Sequence, residues 1–160
     1  MTHIYLDASA LVKRYRQEPG SEVVNATIER VSSENPRGLV VSSLSIIETL
    51  SILNRRRNEA GIPMELFRPA LRSVIQEIRT FSHALIINDH LILSSAQYAL
   101  KHNINSADAV HLSILLALQV TVTASDDELI CLAADKRLVR AARAEGITVV
   151  DPEESPPPDL

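Results

Sequence analysis

A chain of 160 residues, 46% of them hydrophobic, can bury one sizeable core and gives no reason to expect a second domain. Its formal net charge of −4 excludes a protein that holds nucleic acid by bulk electrostatics, so any such contact must be local. The single cysteine, Cys131 in the apolar run LICLAA, excludes an intrachain disulfide and reads as a buried structural thiol.

Short apolar runs at 3–6, 39–42 (LVVS), 84–88 (ALIIN), 129–133 (LICLA) and 147–150 (ITVV) predict strands covered on both faces, and hence a parallel sheet. Helices are predicted over 9–17, 21–33, 43–59, 64–80, 89–102, 106–119 and 136–145. Ser43 and Ser106 suit N-caps, Pro63 a first helical position and Gly146 a helix stop, while Pro69 should break or kink the 64–80 segment. The stretch 120–128, VTVTASDDE, fits either a strand or a helix end followed by a loop. Alternating strands and helices give the fold class, α/β with helices on both faces of the sheet. The domain is expected over 1–152, and the acidic, proline-rich ending 153–160 is expected to be disordered. No run reads as membrane-spanning, and the N-terminus enters a strand without the pattern of a signal peptide. The expectation is a cytoplasmic protein with no membrane partner.

Ligands of open α/β sheets collect where strands turn into helices. Asp7 stands at such a place after Ile4-Tyr5-Leu6, although an N-cap role for the next helix explains an aspartate there equally well. Asp108 lies on SADAVHLSILLALQ, a helix apolar nearly all round, on one stripe with His111, Leu112 and Leu115. Carboxylates are seldom buried unpaired, though the first turn of a helix also welcomes one. His111 reads as a satisfied core histidine rather than a ligand. Glu48 projects opposite the apolar face made by Ile46, Ile47, Leu50 and Leu53. Alone it reads as solvated, yet Leu44 and Ile52 flank it, and a helix buried on two faces would carry it into a pocket. Asp135 ends an apolar strand and starts a helix, repeating the setting of Asp7, whereas Asp126 or Asp127 takes that place if VTVT is the strand.

Carboxylates gathered in one cleft repel one another unless a cation neutralises them, and all-oxygen ligation suits Mg²⁺ or Mn²⁺. No Cys/His spacing suits zinc. Such a cation activates water and stabilises charge on a phosphodiester, so hydrolysis of nucleic acid is the chemistry that best uses the site. Local positive patches are Lys13, Arg14 and Arg16 after the first strand and the triplet Arg55-Arg56-Arg57. A solvated helix face and favourable charges at a helix C-terminus account for them as well.

The segments IYLDASALVKRYRQEPGSE, SIIETLSIL, INSADAVHLSILLA and ADKRLVRAARAEGITVVDP, in that order from Tyr5 to about Pro152, together resemble the PIN-domain ribonucleases, particularly VapC-type toxins of prokaryotic toxin–antitoxin pairs. The resemblance implies a PIN-like three-layer domain, a short parallel sheet flanked by helices, with acids at its carboxyl edge. It matches Asp7, Glu48, Asp108 and Asp135 to the family's four catalytic, metal-binding acids, and Ser9 to a small hydroxyl residue that supports the first acid or a water. It implies cleavage of single-stranded or loop RNA, tRNA included, with Mg²⁺ or Mn²⁺. It also implies a homodimer and a cognate antitoxin protein that inserts a segment into the groove, often with an arginine on the acids. RNA would then be gripped near the cleft mouth by Lys13, Arg14, Arg16 and Arg55 to Arg57. One departure stands out. The family carries Thr-x-Asp at its fourth acid, where LAAD has alanines and TASDD has the hydroxyls, so Asp126 and Asp127 stay open as alternatives.

Other functions fit less well. A haloacid-dehalogenase-type phosphatase needs a second aspartate where Ser9 stands, and a receiver domain needs an acidic pair after the first strand. A dinucleotide-binding domain needs G-x-G-x-x-G there, and the chain has four glycines in all, none closely following the first strand. A PIN-like interaction module without catalysis remains the alternative, against which the retained acids weigh, because an unused carboxylate cluster is costly to keep together.

Overall fold

The strands are short and largely apolar, and several are followed at once by a side chain that caps a helix; this local order sets the architecture. The computed structural model describes residues 1–154. β1 (Thr2–Leu6), β2 (Leu39–Ser42), β3 (His83–Leu85), β4 (Glu128–Leu132) and β5 (Thr148–Val150) form one parallel sheet in the order β3-β2-β1-β4-β5. Leu6 is in register with Val41 on one side and Leu132 on the other. From β1 the chain runs outward through β2 to β3 and then crosses back to β4, so the strand order reverses at β1 and β4. Crevices of open sheets form at such a switch point, at the carboxyl ends of the strands.

The helices are α1 (Ala8–Leu11), continued by a 3-10 turn at Val12–Arg14, α2 (Ser21–Glu34), α3 (Ser43–Glu59), α4 (Met64–Phe81), α5 (Asp89–His102), α6 (Ser106–Thr123) and α7 (Lys136–Ala144). Strand side chains alternate between faces and so divide the core in two. Ile4, Leu6, Leu39, Val41, Ile130 and Leu132 pack against Leu11, Val24, Ile28 and Ile78. Tyr5, Val40, Leu129 and Cys131 pack against Leu112 and Leu115 of α6 and Leu138 and Val139 of α7. The expected three-layer α/β fold is the one observed.

Several boundaries differ from expectation. The caps of α3 and α6 are Ser42 and Asn105, one residue before Ser43 and Ser106, because their side chains reach the amides of Ser45 and Asp108. Pro63 precedes α4 as its cap instead of opening it, and Pro69 lies inside an unbroken helix. Pro69 and Glu65 are both exposed, so the carbonyl freed by the missing N–H faces no burial cost. The unplaced stretch 120–128 resolves into the last turn of α6, where Val122 is buried, a loop with Asp126 at φ 56°, and the start of β4 at Glu128. β3 ends at Leu85 rather than residue 88, since Asn88 caps α5.

Glu153 and Glu154, expected in a disordered tail, lie in a turn and accept from Lys13 Nζ at 2.7 Å and Lys136 Nζ at 2.9 Å. The rest of that tail, 155–160, lies outside the described residues. Gly20 meets this ending closely: at φ +84°, a Cβ would stand 2.7 Å from the Pro152 carbonyl oxygen. One helix among the described residues, α6, is long and apolar enough by length and composition to cross a membrane, contrary to the sequence reading. In the fold it is a core helix, with Ala109, Leu112, Ile114 and Leu115 buried.

Candidate active site

Asp7 directly follows β1 and caps α1, so the capping reading of this residue holds at the strand end where the sequence placed it. Its carboxylate accepts from the Ser9 amide at 3.0 Å and the Ser9 hydroxyl at 2.6 Å. Its own amide donates to Leu132 O at 3.1 Å, carrying the β1–β4 pairing one residue past the strand. The Ser9 hydroxyl also accepts from the amides of Ala134 at 2.8 Å and Asp135 at 3.1 Å. One serine thus ties the two strand ends at the switch point, and Asp135 caps α7 beside it by accepting from the Arg137 amide at 2.9 Å.

Asp108 arrives from the first turn of α6. Its Oδ2 is buried and has no hydrogen-bond partner, with Arg137 Nε at 3.4 Å, an ion-pair distance without a hydrogen bond. Glu48 comes from α3, whose buried face differs from the one expected. Ile47 is 59% exposed, and the face turned inward carries Ser45 and Thr49. Small hydroxyl residues pack there because Tyr5, fully buried in β1, places its hydroxyl 2.9 Å from Ser42 Oγ and 3.3 Å from Ser45 Oγ. Glu48 is thereby turned toward the sheet edge, along one stripe with Ser51, Ile52 and Arg55.

His111, read from the sequence as a satisfied histidine, is buried with partners on both ring nitrogens. Its Nε2 lies 2.7 Å from Glu48 and 3.2 Å from Asp7 Oδ1, while its Nδ1 lies 2.7 Å from the Tyr5 hydroxyl. The i+3 spacing from Asp108 was the available signal. Nothing in the sequence disclosed that β1 would supply a tyrosine to the back of the ring.

These side chains close around a cavity of about 270 Å³ lined by Asp7, Ser9, Glu48, Arg55, Asp108, His111 and Asp135. Burial, then the charges of Asp135 and Asp7, push the Asp108 carboxyl up to about 6, against the opposing pull of Arg137. At Asp135 burial acts the same way but is outweighed by the Arg137 hydrogen bonds, which hold the carboxyl below its ordinary value. Burial disfavours the charged form of His111 as well. Asp7, Glu48 and Asp108 outweigh it, and the imidazole keeps its proton above its ordinary pKa.

Oxygen donors predominate, and this suits a hard divalent cation. One ligand atom each from Asp7, Glu48 and His111 lies within 4.8 Å of the others, and the orphaned Asp108 Oδ2 is a buried acceptor that a cation would satisfy. The residues present therefore fit such an ion.

The other candidates fall elsewhere. Asp127 holds the N-terminal ammonium and His3 at the amino end of β1 and β4, a strand's length from Asp7, and Asp126 lies in the same turn. Neither lines the cavity that holds Asp7, Glu48, Asp108 and Asp135. Lys13 is 3% exposed and paired with Glu18 at 3.1 Å and Glu153 at 2.7 Å, so it offers no charge to a ligand. Arg14 is held by Glu77 at 2.9 Å and by Asn25 at 3.0 Å, and Arg16 approaches Glu18 at 3.7 Å. Of the sequence-proposed cations, Arg55 lines the cavity.

The family model of the PIN domain matches residues 4–144. Solved structures are similar in fold at low identity. PAE2754 from Pyrobaculum aerophilum matches with a TM-score of 0.59 and 15% identity over 93% of this chain and 84% of that one. VapC20 from Mycobacterium tuberculosis, described as a sarcin-ricin loop cleaving toxin, matches with 0.57 and 15% over 86% and 94%. FitAcB from Neisseria gonorrhoeae matches with 0.55 and 18% over 95% and 99%. Comparison with curated proteins gives no match.

Proposed function

The chain belongs to the PIN-domain family, and from that premise we propose that it is a divalent-metal-dependent endoribonuclease acting on single-stranded or loop RNA, the toxin of a toxin–antitoxin pair. The observation that carries the reading is the buried Asp108 Oδ2, without a hydrogen-bond partner in a cavity that Asp7, Glu48 and Asp135 also line. A cleft that took no cation would have little reason to keep a buried carboxylate oxygen that Arg137 approaches without a hydrogen bond, since a buried acceptor left without one costs about 1–3 kcal/mol.

Asp7, Glu48, Asp108 and Asp135 would hold Mg²⁺ or Mn²⁺. When bound, such an ion supplies Lewis-acid polarisation of a phosphoryl oxygen and activation of water. The chain's own residues do the positioning. Ser9 fixes Asp7 by donating its hydroxyl and sets the start of α7 by accepting two amides. His111 holds Glu48 beside Asp7, and Tyr5 holds His111. Arg55, exposed at the cavity wall, takes a phosphate of the RNA.

The likeness to a toxin described as cleaving the sarcin-ricin loop supports RNA as the substrate class, with tRNA as a further candidate. A cognate antitoxin and a homodimer belong to the same proposal, as does action in the cytoplasm. Ile86, Leu93 and Leu100 are each at least three-quarters exposed, which leaves apolar surface for protein contacts.

The test is cleavage of a tRNA and single-stranded RNA panel by wild type and Asp7→Asn, with Mg²⁺, Mn²⁺ or EDTA. Cleavage by wild type with metal alone is expected. Equal activity in folded Asp7→Asn would sink the assignment, and no cleavage by antitoxin-free protein would favour a binding module.

A further inference from the structure

α7 begins with two cations, Lys136 and Arg137, at the end of a helix where positive charge is electrostatically disfavoured. Each is compensated, but differently. Lys136 turns away from the site to the buried Asp151 at 2.6 Å and to Glu154 at 2.9 Å. Arg137 turns back over the active site. Its Nη2 lies 3.1 Å from Asp135 Oδ2 and its Nε 3.4 Å from both Asp135 Oδ1 and Asp108 Oδ2. The guanidinium therefore spans two of the four acids, and it approaches the one buried oxygen of Asp108 that has no hydrogen bond.

Two features make this contact exchangeable. The Arg137 side chain is 55% exposed, and exposed ion pairs are weak enough to be given up to a stronger partner. A planar fork can bridge two carboxylates, which a point-charge ammonium does less well.

We propose that Arg137 is the site's own displaceable cation, a positioning residue that holds Asp108 and Asp135 together in the metal-free protein and is displaced from them when a divalent cation binds. The inference rests on the metal-dependent nuclease reading. Arg137 then lowers apparent metal affinity, because each ion must first take two carboxylates from it and then sit beside its charge.

The test is calorimetric titration of Mn²⁺ alone into wild type, Arg137→Gln, Arg137→Lys and Arg140→Gln. Arg140 lies one turn further along α7, is exposed, and bonds to the His102 carbonyl at 3.2 Å, so its variant removes one charge from the same helix without touching the acids. Arg137→Gln should bind Mn²⁺ about three- to tenfold more tightly, Arg137→Lys less than that, and Arg140→Gln within about twofold of wild type. Unchanged or weaker binding in Arg137→Gln would overturn the proposal, as would an equal gain in Arg140→Gln, which would mark a general charge effect. Wild type that binds Mn²⁺ together with an unaltered Arg137→Gln refutes this inference alone. No binding by any variant refutes the metal reading and this inference with it.

Discussion

The Ser9 hydroxyl donates to Asp7 at 2.6 Å and at the same time accepts two amides from the segment that follows β4. A single oxygen thus saturates its bonding at the place where two strands end, and Ala133 can stand where the Thr-x-Asp pattern carries its hydroxyl. Ser9→Ala leaves two amides short of a partner and leaves the Asp7 carboxylate with the residue-9 amide alone. A loss of about 1–3 kcal/mol in urea unfolding is expected, together with weaker Mn²⁺ binding, and Ser9→Thr should recover part of both. An alanine variant with wild-type values would show that water replaces the hydroxyl at no cost.

The Asp108 carboxyl, at about 6 in the metal-free protein, is raised above its ordinary value near 4. The folded state therefore binds more protons than the unfolded one across that interval, and metal-free stability falls as pH rises through it. His111 adds the same sign at higher pH, since its raised value means that stability is lost as its proton leaves. Asp135, held low, matters only as pH falls below the ordinary carboxylate range. Metal needs the carboxylate ionised, so the Mn²⁺-induced rise in Tm should be small below about pH 6 and grow above it. Thermal scans with and without Mn²⁺ across this range check the slope, and Asp108→Asn should flatten it. A shift independent of pH would show that Asp108 is not a ligand.

Tyr5 sits behind His111 in the middle of the sheet. Its hydroxyl meets His111 Nδ1, Ser42 Oγ and Ser45 Oγ, all buried. Tyr5→Phe keeps the ring and removes the hydroxyl, leaving His111 without its rear partner. Stability should drop by about 1–3 kcal/mol, and the His111 imidazole signals in NMR should shift or broaden as the ring loses its fixed orientation. Unperturbed imidazole signals would separate Tyr5 from the site and leave it a packing role.

These residues also mark how far the sequence could be read. Asp7, Asp108 and Asp135 were visible because each breaks an apolar run at a strand end or on a buried helix, and the order of runs sufficed for the three layers. Glu48 was ambiguous because the inward face of α3 is lined by Ser45 and Thr49, which no hydrophobic periodicity reveals. His111 was legible as a satisfied histidine, but not its partners, because Tyr5, Asp7 and Glu48 come from other elements. The partners of the early cations were hidden for a similar reason: the acids that neutralise Lys13 include Glu153, 140 residues away.

That last point separates two arginine-or-lysine candidates that composition treats alike. Lys13 is buried on Glu18 and Glu153, whereas Arg55 is exposed on the cavity wall. Breaking a buried pair costs about 3–5 kcal/mol, but Glu18 and Glu153 keep some solvent contact and can rehydrate, so Lys13→Ala should destabilise by about 1–3 kcal/mol. Its RNA affinity, measured on folded protein in an Asp7→Asn background that suppresses cleavage, should not change. Arg55→Ala should alter stability by less than about 0.5 kcal/mol. It should weaken binding of labelled single-stranded RNA and reduce the slope of log affinity against log salt by about 0.7, the loss of one phosphate contact. If instead Lys13→Ala changed the salt slope and Arg55→Ala did not, RNA would run along the α1 side of the cleft, and the Lys13 ion pairs would have to open to receive it.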